Sequence, residues 1–203
     1  MTIRPMQGTI MPVSYVEVDF MASIEKLPAG EFNISRWSGG TTTELFIWPH
    51  GASYAERRFG IRISTATVEI AQSTFTKFPG VTRYIAPLGD GFTLKIGQNE
   101  PEFIPHAAVK RFDGGENVIC AGAGRDLNLM LNGAAGELIM IKPNEPHTVR
   151  QAEFLFAYAV QDCRISVNGT NTDAEYGEFL RIYAGAGEML TASGEVGLFY
   201  AQP

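Results

Sequence analysis

The sequence predicts an all-β chain folded as two β-barrel lobes, and three observations carry that prediction. Apolar and polar residues alternate over many short runs, the period-two pattern of a strand with one buried face. Gly and Pro together supply 22 and 11 of the 203 residues. These residues cost about 1 and 3 kcal/mol inside a helix, so a helical bundle would not tolerate them at this density. Strand-like runs recur roughly every 8 to 14 residues along the whole chain, the spacing of a sandwich or a barrel.

Taken in order, FNISRW (32–37) alternates, and so does FGIRISTATVEI (59–70). In the second run Arg62, Ser64 and Ala66 share one face, and Ile61, Ile63 and Thr65 the other. TRYIAPL (82–88) and FTLKI (92–96) bracket GDG, which predicts a hairpin. GAG (122–124) reads as a second hairpin turn. AAVKRF (107–112), NVICA (117–121), DLNLML (126–131), ELIMI (137–141), EFLFAYAV (153–160), CRISV (163–167) and VGLFYA (196–201) continue the series. GASYAERRF (51–59) is the one stretch that suits a short turn of helix. The strand count is high for one small barrel and right for two. The loop DGGEN (113–117) is the natural midpoint, giving an N-terminal extension over 1–22, a first lobe over 23–113 and a second over 114–203. The lobes are expected to share a core and to exchange strands.

Composition excludes several functions. With 16 basic and 22 acidic residues the net charge is −6. No excess of Lys and Arg exists to neutralise phosphates, so nucleic acid and anionic membranes are not expected partners. A hydrophobic share of 45% with 19% charged residues is not that of a disordered chain. No apolar run reaches the roughly 18 residues of a membrane span, and the N-terminus lacks the apolar stretch of a signal peptide. Two cysteines, Cys120 and Cys163, form no framework of disulfides and read as reduced core thiols, which suits a cytoplasmic protein.

Metal chemistry fails on ligand spacing. His50, His106 and His147 are widely separated, and no HxH or HExxH exists, so neither a metal nor another cofactor is expected. GELIMIKPNEPHTV (136–149) has the Gly, strand, Pro and His of a second cupin motif, but its first-motif partner is missing. No GxSxG elbow is present. What stands out is polar residues inside apolar strands: Arg62 in GIRIST, Arg83 in VTRYI, Asn128 in DLNLM and Glu44 in TTTELFIW. The plain explanation of each is a solvated strand face or an internal ion pair such as Arg62 with Glu44. Together they suggest a polar floor inside a barrel, where an Arg fork, hydroxyls and an amide grip a small carboxylate.

Specific strings carry a family resemblance. RWSGGTTTEL (36–45) resembles the W-x-G-G-x-T-x-E opening of the HutD/Ves family. The stretch 59–91 is similar to its R-I-S-x-A, F-S-x-F-P-G-x-x-R and glycine-turn core. KRFDGGENV (110–118) and GRDLNLM (124–130) resemble its F-x-G and D-x-N-x-M signature. All four stand in the family's order over roughly 23–175. The resemblance implies a cupin-type double barrel (bicupin) and a bacterial cytoplasmic protein that moderates histidine utilisation. Urocanate and N-formylglutamate are then the candidate ligands. Its recurring positions map onto Trp37, Gly40, Thr43, Glu44, Arg62, Ser64, Phe78, Pro79, Gly80, Arg83, Asp126 and Asn128. The chain departs from the pattern at Ser38–Thr41 and at Phe59-Gly60, and none of the strings that carry the resemblance falls in 176–203. The Ves branch, a stress-associated group, shares the same core.

Three functions follow. The first is a metal-free module in which Arg62 holds a carboxylate. Thr43, Ser64 and Asn128 supply neutral hydrogen-bonding groups and Trp37 or Phe78 an apolar wall, with Glu44 and Arg83 as further residues of the same candidate site. The second is an enzyme acting on such an acid, with Glu44 as general acid or base beside Arg62. The third is an interaction module with a vestigial pocket, in which VSYVEVDF (13–20) joins a homodimer by strand addition.

Overall fold

The structure is a computed structural model, and it describes residues 21–203. The extension over 1–20, with the strand proposed for homodimer formation at 13–20, lies outside the described residues. Nineteen strands and one 3₁₀ turn, Ala29–Glu31, make up the described chain. In order they are β1 (Ser23–Lys26), β2 (Asn33–Trp37), β3 (Gly40–Trp48), β4 (Ile61–Val68), β5 (Gln72–Thr74) and β6 (Val81–Pro87). Then come β7 (Phe92–Ile96), β8 (Glu102–Ile104), β9 (Lys110–Asp113), β10 (Val118–Ala121), β11 (Gly124–Asn132), β12 (Ala135–Ile141) and β13 (His147–Thr148). The last are β14 (Phe154–Ala159), β15 (Cys163–Val167), β16 (Thr170–Ala174), β17 (Phe179–Tyr183), β18 (Met189–Ala192) and β19 (Val196–Gln202). No helix among them is long and apolar enough to cross a membrane.

Four antiparallel sheets pack as two facing pairs. A six-stranded sheet, β2-β3-β4-β11-β6-β9, faces a four-stranded sheet, β5-β10-β7-β8. A five-stranded sheet, β1-β17-β14-β19-β12, faces β13-β18-β15-β16. The sheets therefore change over between β11 and β12, at residues 133–134, and not at the DGGEN loop. β10 and β11, expected in the second lobe, pair with β5, β7, β4 and β6 of the first. β1, expected in the first lobe, closes the edge of the second against β17. The halfway loop misleads because it only joins β9 to β10, and strand pairing ignores chain midpoints.

Both glycine turns also depart from expectation. β6 and β7 lie in different sheets, as do β10 and β11, so GDG and GAG form corners between sheets and not hairpins. Each partner strand already has both edges occupied. The 51–59 stretch forms no helix. It is a tight turn closed by a bridge between Ser53 and Arg58.

The core explains why charge is scarce. β4 and β11 are buried on both faces. On one face Ile61, Ile63, Leu127 and Leu129 join Phe154, Phe156, Phe179 and Phe199 of the five-stranded sheet in a single cluster. The two sheet pairs thus share a core. Inside the second pair Ile165, Leu180, Leu190 and Leu198 fill the space. Cys120 and Cys163 are both buried and unpaired, in different lobes.

Candidate functional site

Strand register lays out the other face of the six-stranded sheet as a grid. In the first row Met130 of β11 lies between Arg62 of β4 and Arg83 of β6. Two residues along, Asn128 lies between Ser64 and Ile85, with Glu44 of β3 beyond Ser64. Two further on, Asp126 lies between Ala66 and Pro87, with Thr42 beyond Ala66. Rows are about 6.7 Å apart and strands about 4.8 Å, so a small molecule spans the grid. A cavity of about 430 Å³ opens over it. Tyr54 from the 51–59 turn, Ser73 of β5, and Phe75 and Thr76 just after it complete the lining, with Trp37 of β2 at the rim.

Arg62 is engaged by Glu44, Ser64 and Tyr54. Its Nε donates to Glu44 Oε2 at 2.6 Å, one Nη donates to Ser64 Oγ at 3.2 Å, and its guanidinium lies 4.1 Å from the centre of the Tyr54 ring. A β-bulge at Leu45 sets Glu44 on the inner face for this pairing. The internal ion pair read from the sequence is therefore present.

Arg83 is different. It is 9% exposed, and its hydrogen bond is a long one, 3.4 Å, from Nη to the Thr76 carbonyl. Its guanidinium stacks between Phe75 and Phe112, at 4.9 and 5.2 Å. Among the described residues no carboxylate comes within 4.0 Å of it. Burying an ion costs several kcal/mol, whereas a cation–π contact returns about 0.5 to 2. The stacking does not cover the cost, and the cavity beside Arg83 is where a counter-charge fits.

Asp126 is the acidic member of the grid, 4% exposed. Burial pushes its carboxyl from the ordinary 3.8 up to about 7, against the opposing pull of the Asn128 side-chain hydrogen bond, the Arg83 charge and the Ala66 amide. Asn128 Nδ2 donates to Asp126 Oδ1. Burial lowers the Arg83 pKa, with the like charge of Arg62 adding to it and Tyr54 and Asp126 opposing. Cys120, on β10 of the facing sheet, is pushed up to about 12 by burial and by the nearby Asp126 charge. Ser73 Oγ is buried without a hydrogen-bond partner among the described residues.

Of the predicted residues, Arg62, Ser64, Asn128, Arg83 and Trp37 line the cavity, and Glu44 touches it through Arg62. Two predictions are corrected. Thr43 pairs with Thr65 on the opposite face of the sheet, because adjacent strand residues point opposite ways and the inner position belongs to Glu44. Phe78 stands behind the wall, buried against Tyr54 and Phe59 at 5.0 and 5.9 Å. Sequence reasoning missed Tyr54, Phe75 and Ser73 as lining residues. Asp126 had a usable signal, since it alternates with Asn128 and Met130 in DLNLM.

The donor set does not suit a metal ion. Two guanidiniums repel a cation, and among the described residues no three His, Cys, Asp or Glu side chains gather at ligand spacing. His147 of the cupin-like PNEPH string sits in the second lobe, its Nε2 2.7 Å from Tyr200 Oη. Its pKa is lowered first by burial.

Sheets paired in this way around an internal cavity define a cupin-type protein. The HutD family model matches residues 29–199, and the chain belongs to the HutD family. Solved structures agree with the fold. HutD from Pseudomonas fluorescens SBW25, in a formate condition, is 21% identical with a TM-score of 0.71, covering 90% of this chain and 98% of its own. A conserved protein of unknown function from Pseudomonas aeruginosa PAO1 is 24% identical with a TM-score of 0.73, covering 90% and 100%. A cupin 2 conserved barrel domain protein from Leptotrichia buccalis is 11% identical with a TM-score of 0.53, covering 83% and 91%. No curated protein matches the sequence.

Proposed function

We infer that the protein is a metal-free binding module for a small carboxylate, and that occupancy of its cavity moderates histidine utilisation in the cytoplasm. The observation that carries the reading is Arg83, a buried cation that faces the cavity and has no carboxylate within 4.0 Å of it among the described residues. A carboxylate there receives two parallel N–H donors from the guanidinium fork, with Ser73 and Asn128 within the same lining. Arg62, committed to Glu44, positions the floor and is not the anchor. The role in histidine utilisation rests on family membership. Of the candidates, singly charged urocanate suits one unpaired guanidinium better than doubly charged N-formylglutamate. Formate, the condition of the Pseudomonas fluorescens relative, is the smallest probe.

Titration calorimetry with urocanate, N-formylglutamate and formate tests the reading. Urocanate is expected to bind best, and Arg83→Met to weaken it at least tenfold, since a charged hydrogen bond contributes about 1.5 to 3 kcal/mol. Equal binding by the variant would remove Arg83 from the site. A second reading, a general acid–base enzyme, is favoured by Asp126, whose pKa near 7 suits proton transfer at neutral pH. No turnover of urocanate after hours with the protein rules it out for that acid.

A further inference from the structure

We propose that the cavity takes up a singly charged carboxylate together with one proton, the proton residing on Asp126. This deepens the carboxylate-binding reading and rests on it. Buried charge decides what the cavity can hold. Arg36, also in the lining, is exposed to solvent, and Arg62 and Glu44 form a closed pair at 2.6 Å, which leaves Arg83 and Asp126 as the two buried charges that set the balance of the cavity. With Asp126 ionised the four side chains sum to zero. With Asp126 protonated they sum to +1, and one anion then restores neutrality.

The surroundings of Asp126 hold it at that balance point. On its own strand Asn128 donates to it, and from β4 come the Ala66 amide and Arg62. Arg83 faces it from β6, Glu44 stands on β3, and β10 contributes Cys120, a neutral thiol. The attractions and the burial cost oppose each other, so a small added charge decides the protonation state. An anion on the order of 8 Å away, at an effective dielectric near 20, disfavours the ionised form roughly thirtyfold. Anion binding therefore draws a proton in. By the sign of the linkage, affinity is flat below the pKa of the empty site, about 7, and falls by up to tenfold per pH unit above it.

Calorimetry with formate and cinnamate, both fully ionised from pH 6 upward, reads this out. At pH 8 the binding heat is expected to differ between phosphate and Tris buffers by an amount that corresponds to uptake of about two-thirds of a proton. At pH 6 that difference shrinks toward zero. Asp126→Asn flattens the affinity profile between pH 6 and 8.5. A buffer-independent heat at pH 8 overturns the proposal, as does a variant that keeps the wild-type slope. The buffer comparison needs only wild type, so it stands even where the variant does not fold. If neither these acids nor urocanate binds at pH 6, the carboxylate reading itself fails, and the two failures are thereby distinguished.

Discussion

Asp126 sits on a strand between two others, on a face lined by Asn128 and Met130, where water reaches 4% of it. Its ionisation is therefore linked to folding as well as to the cavity. The folded chain holds the proton up to about pH 7, whereas the ordinary aspartate of an unfolded chain releases it near 3.8. Between those values the native state binds more protons, so stability falls as pH rises through the window and levels off above it. At about 1.4 kcal/mol per pH unit the loss is on the order of 4 kcal/mol. Urea unfolding at pH 5 and pH 8 covers the upper two units or so of that window and should show a loss of roughly 3 kcal/mol in wild type and a smaller one in Asp126→Asn. The same loss in both proteins would contradict the buried placement of Asp126.

At the level of elements, β3 and β4 show how one residue fixes a strand pair. Gly40 has φ of +152°, and a Cβ there would lie 1.9 Å from the Thr67 carbonyl oxygen. The obstacle is backbone, so the strands must separate. Gly40→Ala is expected to cost more than about 3 kcal/mol in denaturant unfolding, beyond the ordinary surface range. A loss below 1 kcal/mol would show that β3 is not held against β4 at this point. The same strands show what was legible in the sequence. Period two correctly gave Arg62, Ser64 and Ala66 one face and Ile61 and Ile63 the other, and hence the floor of the cavity. Thr43 and Glu44 adjoin, so they could not both face inward. Choosing between them needed the register across the Leu45 bulge, which leaves no compositional trace. Tyr54 lies in an irregular turn with no period to read. The glycine turns carry the same residues whether they close a hairpin or turn a corner between sheets, so pairing partners could not be inferred from them.

Across the whole molecule, the shared core decides how the lobes behave. Phe46 of β3 meets Phe156 of β14 with ring centroids 4.6 Å apart, and Phe156 stacks on Phe179 at 5.0 Å. Gly197 of β19 admits the close approach of β11, since a Cβ there would lie 2.6 Å from Leu127 Cδ1. Interiors packed at this density do not separate without exposing large apolar faces. Thermal unfolding is therefore expected as one cooperative transition, with Phe156→Ala lowering stability by about 3 to 5 kcal/mol without splitting it. Two resolved transitions would show independent lobes. Strand-rich runs made the two-lobe plan readable from the chain, but the exchange of β1 and the changeover after β11 depend on long-range pairing that local pattern does not encode.

Diffraction from a crystal soaked in urocanate tests whether a carboxylate occupies the cavity at Arg83. The expected result is density over the β4-β11-β6 grid, with a carboxylate oxygen about 2.7 to 2.9 Å from an Arg83 nitrogen. An empty cavity at saturating urocanate, or a ligand bound without contact to Arg83, would contradict it.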